Sequence, residues 1–445
     1  MTSLSKSSAG WRALAVTAAT LTVLAGATGQ AGASGRTDAS GQAGASGRTG
    51  AVPAALPLGD ADLVETRGSE TLADGVTLTR IVRGTEPAPA DQINTTTRGP
   101  WAVNVLTIDP RRADGHLKAT HGPDLARTEK TTDLVSGAGA LAGVNASFFT
   151  FTASALYPGD PVGLGLYGGK LLSEPTGDAT EADFVVDART GRTLTGRLSW
   201  TGGVHNRRTG AALPLEYLDH PPVVPAACAG LPDQSGCADS GDVVRFTPEF
   251  ADATPSGAGV EVVLERRGCV VRTATTRGTR LTGRQTSLQA TGKESAALLD
   301  LAGGGCLTTT SELTDEQGRR IPARDGLFGV NGRYRLTRDG RIVVPDGTGS
   351  FFERNPRTLA GTTRDGKIVL VTVDGRMTGS VGTTMAETAA VARSLGLRDA
   401  VNLDGGGSTA MSVRGALVNR PSGTAERPVG DALVYVEGRY RPGRD

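Results

Sequence analysis

Hydrophobic and polar positions change period repeatedly along the last quarter of the chain. Lys367 to Val373 (KIVLVTV) is a continuous β-branched and apolar run, which predicts a buried strand ending at Asp374-Gly375. Thr384 to Leu395 (TMAETAAVARSL) reads as a helix and is stopped by Gly396. Ala400 to Leu403 predicts a second short strand, ending at Asp404. Strand, helix and strand in that order imply a parallel pair joined by a right-handed crossover. Asp374 and Asp404 are then expected at the carboxyl ends of neighbouring strands, on the sheet edge where α/β folds place ligands. Thr409 to Val413 alternates like a strand, turns at Arg414-Gly415 and returns as Ala416 to Arg420. The expected fold class is therefore mixed α/β or α+β. It has a mixed sheet with flanking helices, a βαβ unit followed by a Gly-rich loop and hairpin, and a β-rich insertion.

The loop itself carries the chemistry. In NLDGGGSTAM (Asn402 to Met411), Asp404 is followed by Gly405, Gly406 and Gly407, then by Ser408 and Thr409. Ordering three glycines is entropically unfavourable, so an ordered run implies close approach of a ligand or another backbone. Successive N–H groups in such a turn can face an anion. The loop feeds a hairpin and lacks the Lys-Ser/Thr pair of a Walker loop. Ser408 lacks a nucleophile-elbow context because Ala410 occupies the last position. The four histidines show no metal-ligand spacing.

The remainder of the chain divides by composition. Lys6 and Arg12 precede the apolar run Ala13 to Gly29, and Ala31-Gly32-Ala33 offers a small-residue cleavage site before Ser34. The expected organisation is a signal peptide over 1–33 and a low-complexity linker over 34–58. The halves of a catalytic region then occupy 59–176 and 323–440, separated by a β-rich insertion over 177–322. Export follows, with no transmembrane segment expected in the mature protein. Cys228, Cys237, Cys269 and Cys306 match no zinc spacing; an even count in an exported chain reads as two disulfides. Of three pairings, Cys228–Cys237 with Cys269–Cys306 is the expected one. A net charge of +1 gives no reason to expect nucleic acid as a partner.

Several segments together resemble the phosphodiester glycosidase family: NLDGGGSTAM, RTLAGTTRDGKIVLVTVDGR (Arg357 to Arg376), the helix with Glu387, LVNRPSGTAERPVGDALVY (Leu417 to Tyr435) and GVNASFF (Gly143 to Phe149). The resemblance spans roughly residues 95 to 170 and 325 to 436. It implies a secreted hydrolase that cleaves a glycosyl phosphodiester, or a related bond in a cell-envelope or extracellular glycan. A non-catalytic carbohydrate-binding protein of the same fold is the alternative, and a glycosidase for uncharged sugars a third. Asp374 and Asp404 are the expected catalytic carboxylates, or joint ligands of a divalent cation such as calcium or magnesium. No cofactor is otherwise expected. Glu387 is a further acid or base candidate, although Thr384-x-x-Glu387 also spells a capping box. Arg357 is the expected phosphate clamp. Asn145 is expected to bind sugar hydroxyls or orient a carboxylate, Gly405 to Thr409 to supply donors, and Arg427 to face the site. Phe148 and Phe149 read as core rather than as a sugar platform.

Overall fold

The computed structural model describes residues 54–151, 154–303 and 305–443. The expected signal peptide and most of the expected linker lie outside them. Leu56 and Leu58, at the end of that linker, are buried in the core.

An eight-stranded sheet forms the centre. Its spatial order is Glu65–Ala73, Val76–Arg83, Trp101–Ile108, Ile368–Val373, Arg357–Thr363, Leu397–Asn402, Arg335–Arg338 and Arg341–Ile342. Every neighbouring pair is antiparallel. The mixed α/β expectation is therefore wrong: the protein is predominantly β, with several antiparallel sheets and three α-helices among the described residues. The βαβ reading fails for one reason. Ile368–Val373 and Leu397–Asn402 do run parallel to each other, but they are not neighbours. Arg357–Thr363 lies between them, antiparallel to both. The Asp365-Gly366 turn folds the 357–363 strand back onto 368–373 as a hairpin, and local periodicity cannot see where that hairpin inserts.

The apolar run reads as continuous because both faces of the sheet are covered. Val369, Val371 and Val373 point to one face, against Met385, Ala389 and Ala392 of the helix Met385–Ser394. Ile368 and Leu370 point to the other, into a core shared with Val144, Met411, Leu433, Phe184 and Phe328. Those residues come from two smaller antiparallel sheets. One has the order Ala416–Leu417, Met411–Val413, Ala142–Asn145, Asp431–Glu437, Gly115–His121. The other has the order Lys170–Ser173, Gly165–Tyr167, Leu327–Val330, Asp183–Asp187, Thr193–Gly196. Each fully buried Val or Leu contributes about 1.5–3 kcal/mol of hydrophobic stabilisation.

The stretch from Ser199 to Thr314 builds two further sheets and the helix Glu294–Ala302 around a separate core of Val204, Val260, Val262, Leu288 and Leu298. Tyr217–Leu218 with Val243–Phe246 is its one parallel strand pair among the described residues. Both disulfides lie here, Cys228–Cys237 and Cys269–Cys306, paired as expected.

Candidate functional site

The three glycines in the loop after Leu397–Asn402 are each crowded or constrained in a different way. A Cβ on Gly405 would meet the Pro356 carbonyl at 2.8 Å. Gly406 has φ +60°, and its Cβ would lie 3.3 Å from Nη2 of Arg376. On Gly407 a Cβ would come within 2.2 Å of Nη2 of Arg427. The loop is thus flanked by two guanidinium groups. The loop amides mostly bond within the protein: Gly405 N–H to Asp404 Oδ1, Gly406 N–H to Pro356, Ser408 N–H to Gly405, and Thr409 N–H to Gly406. The loop therefore offers few free N–H donors, and the positive groups that face it are the guanidiniums of Arg376 and Arg427.

Asp404 sits half-buried at the start of the loop. Burial pushes its pKa up to about 6, opposed by the Ser408 hydroxyl, the Gly405 N–H and the charge of Arg427. Asn145 holds the surrounding backbone. It is fully buried at the end of its strand; its Nδ2 donates to the Asp404 carbonyl (2.7 Å), and its Oδ1 accepts from Thr358 Oγ1 (2.7 Å) and Ala410 N–H (3.0 Å). That one amide joins both sides of the glycine loop to two sheets, and it has no face toward solvent.

Asp374 is 5% exposed. Its oxygens accept from Asn419 Nδ2 (3.1 Å) and Arg420 N–H (3.0 Å), and burial raises its pKa to about 6. Asn419 also donates to the Thr409 carbonyl and accepts from Met411 N–H. Asp374 therefore anchors the hairpin that follows the loop, through a residue the sequence reading did not single out. Ser408 and Thr409 are buried, and the Thr409 hydroxyl has no hydrogen-bond partner among the described residues.

The arginines divide by exposure. Arg357 is buried: Nε donates to the Thr383 carbonyl, and Nη2 to those of Phe351 and Glu353, with the guanidinium 5.4 Å over the Phe351 ring. Burial, with the like charge of Arg376, lowers its pKa to about 10, so it remains cationic at neutral pH. Arg376 is exposed and adopts φ 59°, a left-handed conformation uncommon for a non-glycine residue. Its guanidinium donates to Asn355 Oδ1 through Nε (3.1 Å) and Nη2 (2.7 Å). Arg427 stacks 4.7 Å over the Phe151 ring and reaches Ser408 Oγ at 3.5 Å. Two cationic groups near Gly406 and Gly407, with a third buried behind, stand opposite the carboxylates of Asp404 and Asp374.

Glu387 is otherwise occupied. It completes the capping box with Thr384, and its carboxylate pairs with Arg354 at 2.9 Å. Phe148 and Phe149 are half-buried; Phe148 lies beneath the Arg333 guanidinium, and Phe149 packs edge-on to Phe151. Among the described residues, one group of His, Cys, Asp and Glu has donor atoms close enough to share an ion: Cys228, Cys237 and Asp239. Its thiols are joined in a disulfide, so that donor set does not suit a cation. Sequence reading missed Arg376 and Asn419. Both lie within segments carrying the family resemblance, and the signal for Arg376 was its place after Asp374-Gly375, where a turn forces the backbone.

Known proteins share the overall fold. A Burkholderia pseudomallei protein named as exported has a crystal structure that aligns with a TM-score of 0.72 at 26% identity, over 86% of this chain and 98% of that one. A Synechocystis protein of unassigned function aligns with a TM-score of 0.61 at 21% identity, over 81% of this chain and 62% of that one. An SPbeta prophage-derived protein of Bacillus subtilis, YomE, is 40% identical over 81 residues, 18% of this chain. The matched segment spans 13% of that relative's length. Among the described residues no helix is long and apolar enough to cross a membrane. It is the phosphodiester glycosidase family whose model this chain matches, across residues 258–436, a stretch that includes Arg357, Asp374, the whole glycine loop and Arg427.

Proposed function

We propose that the protein is an exported hydrolase of glycosyl phosphodiesters in envelope or extracellular glycans, with Asp404 as the carboxylate acting at the anomeric carbon. One observation carries this reading: a half-buried carboxylate opens a glycine loop whose second and third glycines are faced by the guanidinium groups of Arg376 and Arg427. A phosphodiester brings one negative charge. Beside Asp404 alone that charge would be repelled; two guanidinium groups offset it and can bind phosphate oxygens in bidentate fashion.

The chemistry then divides between these groups. The bond from the anomeric carbon to the bridging oxygen breaks, and the phosphate leaves as a monoester, a leaving group that needs little protonation at neutral pH. Positive charge develops on the sugar ring, and the ionised Asp404 stabilises it or activates the incoming water. Asp374 and Asn145 act as positioning residues that fix the two sides of the loop. Glu387 and Arg357 brace the neighbouring segments, Arg357 adding buried positive charge. The match to the family's domain, the disulfides and the similarity to a protein named as exported support the reading.

A turnover screen over sugar-1-phosphodiesters, with and without chelator, tests the proposal. Release of free sugar is expected; loss of activity with chelator would add a divalent cation to the site. Binding of glycans without turnover of any member would replace the hydrolase with a carbohydrate-binding protein.

A further inference from the structure

A cleft of about 700 Å³ opens where the Ser199–Thr314 region meets the body of the protein. Its walls are the hairpin tip at 264–268, the segment 283–286, the strand around 307–311 and the turn at 169–172. Five guanidinium groups line it: Arg207, Arg245, Arg266, Arg267 and Arg284. No carboxylate among the described residues lies within ion-pair distance of any of these five, although ion pairs are frequent elsewhere in the chain. Arg207 donates its Nε to Thr308 Oγ1, and the charge of Arg245 acts on the buried Asp219 carboxylate, whereas Arg266, Arg267 and Arg284 have no such partner among the described residues. The cleft's only lysine, Lys170, is paired with Glu249 at 2.5 Å, and Glu265 is the only other carboxylate in the wall. Like charges gathered in one concavity repel each other and destabilise the fold unless a counter-charge arrives.

We propose that this cleft is a second anion-binding site, which holds a run of phosphodiester groups of a polymeric substrate apart from the bond being cleaved. The proposal rests on the reading of the Asp404 site as acting on glycosyl phosphodiesters. It assigns the Ser199–Thr314 region a role: gripping the polymer while the glycine loop acts on one linkage. Spaced guanidinium groups suit repeating phosphates, since each offers planar paired donors and stays charged at any physiological pH.

The test uses the mature disulfide-bonded protein and a short poly(glycerol phosphate) carrying no sugar, so the probe binds without being cleaved. Binding is measured by calorimetry at low and high salt. The Arg266→Ser/Arg267→Ser/Arg284→Ser variant removes three exposed groups that make no hydrogen bond or ion pair among the described residues, so folding should be unaffected. The wild type should bind, and more weakly as salt rises. The triple variant should lose about tenfold or more in affinity at low salt, while its turnover of a small sugar phosphodiester stays at the wild-type level. Asp404→Asn should bind the probe as the wild type does. Unchanged binding by the triple variant would overturn the site. Equal affinity for a polygalacturonate or an oligoribonucleotide of matched charge would overturn the assignment to phosphodiester glycans. Failure of the wild type to turn over any small sugar phosphodiester, with probe binding intact, would instead overturn the reading of the Asp404 site and the polymer's role as substrate.

Discussion

A methyl group on Gly407 cannot coexist with the Arg427 guanidinium in its present place. The added carbon would lie 2.2 Å from Nη2 and 2.5 Å from Cζ. The obstacle is the far end of a flexible side chain, so Gly407→Ala should displace Arg427 and leave the backbone where it is. The effect on folding is small, because Arg427 gives up only its stack on Phe151 and its 3.5 Å contact with Ser408; a cation–π contact at such a site contributes about 0.5–1 kcal/mol. The effect on a bound phosphodiester is larger. A hydrogen bond to a charged group contributes about 1.5–3 kcal/mol, equivalent to about 10- to 150-fold in affinity. The assay is inhibition by an unreactive phosphodiester alongside kcat/KM for a sugar-1-phosphodiester and an aryl glycoside of the same sugar. Gly407→Ala and Arg427→Ala should weaken the phosphodiesters alike and spare the aryl glycoside. The double variant should be no worse than either single one, since both remove the same interaction. Losses that multiply in the double variant, or that fall equally on the neutral substrate, would refute the reasoning.

Other consequences follow from the same contacts. Asn145→Leu leaves a carbonyl, an N–H and a hydroxyl unpaired in the core; at about 1–3 kcal/mol for each unsatisfied group, urea denaturation should show a loss of several kcal/mol, and near-wild-type stability would contradict the positioning role. In the proposed mechanism Asp404 acts ionised, and burial raises its pKa to about 6, so kcat/KM should rise with pH through about 6; the same acidic limb should persist in Asp374→Asn, and its disappearance there would reassign it. Burial raises Asp219 to about 7 and Glu174 to about 8; the unfolded chain releases these protons near the ordinary carboxylate value of about 4, so the stability they contribute is complete at low pH, declines as pH rises above about 4, and has gone by about 7 to 8. Thermal unfolding of Asp219→Asn should depend less on pH over that window than the wild type. Reducing the disulfides, which close separations of 9 and 37 residues, should destabilise the Ser199–Thr314 region by about 3 and 4 kcal/mol in the chain-entropy account; an unchanged melting profile under reductant would contradict it.

Elements that depend on neighbours in sequence were legible before the structure. The helix starts where Thr384 and Glu387 cap it and ends before Gly396, at φ +79°. The 411–417 hairpin turns at Arg414-Gly415. The glycine triplet was legible as a place of close approach. Its reason was not, because the groups that approach come from distant segments: Pro356, Arg376 and Arg427. Sheet order failed for the same physical cause. Periodicity reports that Ile368–Val373 is covered on both faces, not that Arg357–Thr363 separates it from Leu397–Asn402. Arg357 shows the limit for single side chains: the residue type suits phosphate, yet three backbone carbonyls hold its guanidinium inside the fold. Exposure distinguishes it from Arg376, and exposure is not written in the local sequence.

The central claim is that the Asp404 carboxylate performs the chemistry. The direct measurement is the rate at which purified Asp404→Asn releases sugar from a sugar-1-phosphodiester that the wild type hydrolyses, with the melting temperature recorded in the same samples. Asparagine preserves the shape and the acceptor for Gly405 N–H but removes the charge. The rate should fall about 10²- to 10⁴-fold with melting within a few degrees of the wild type. A variant that releases sugar at the wild-type rate would contradict the account and leave the glycine loop as a structural turn.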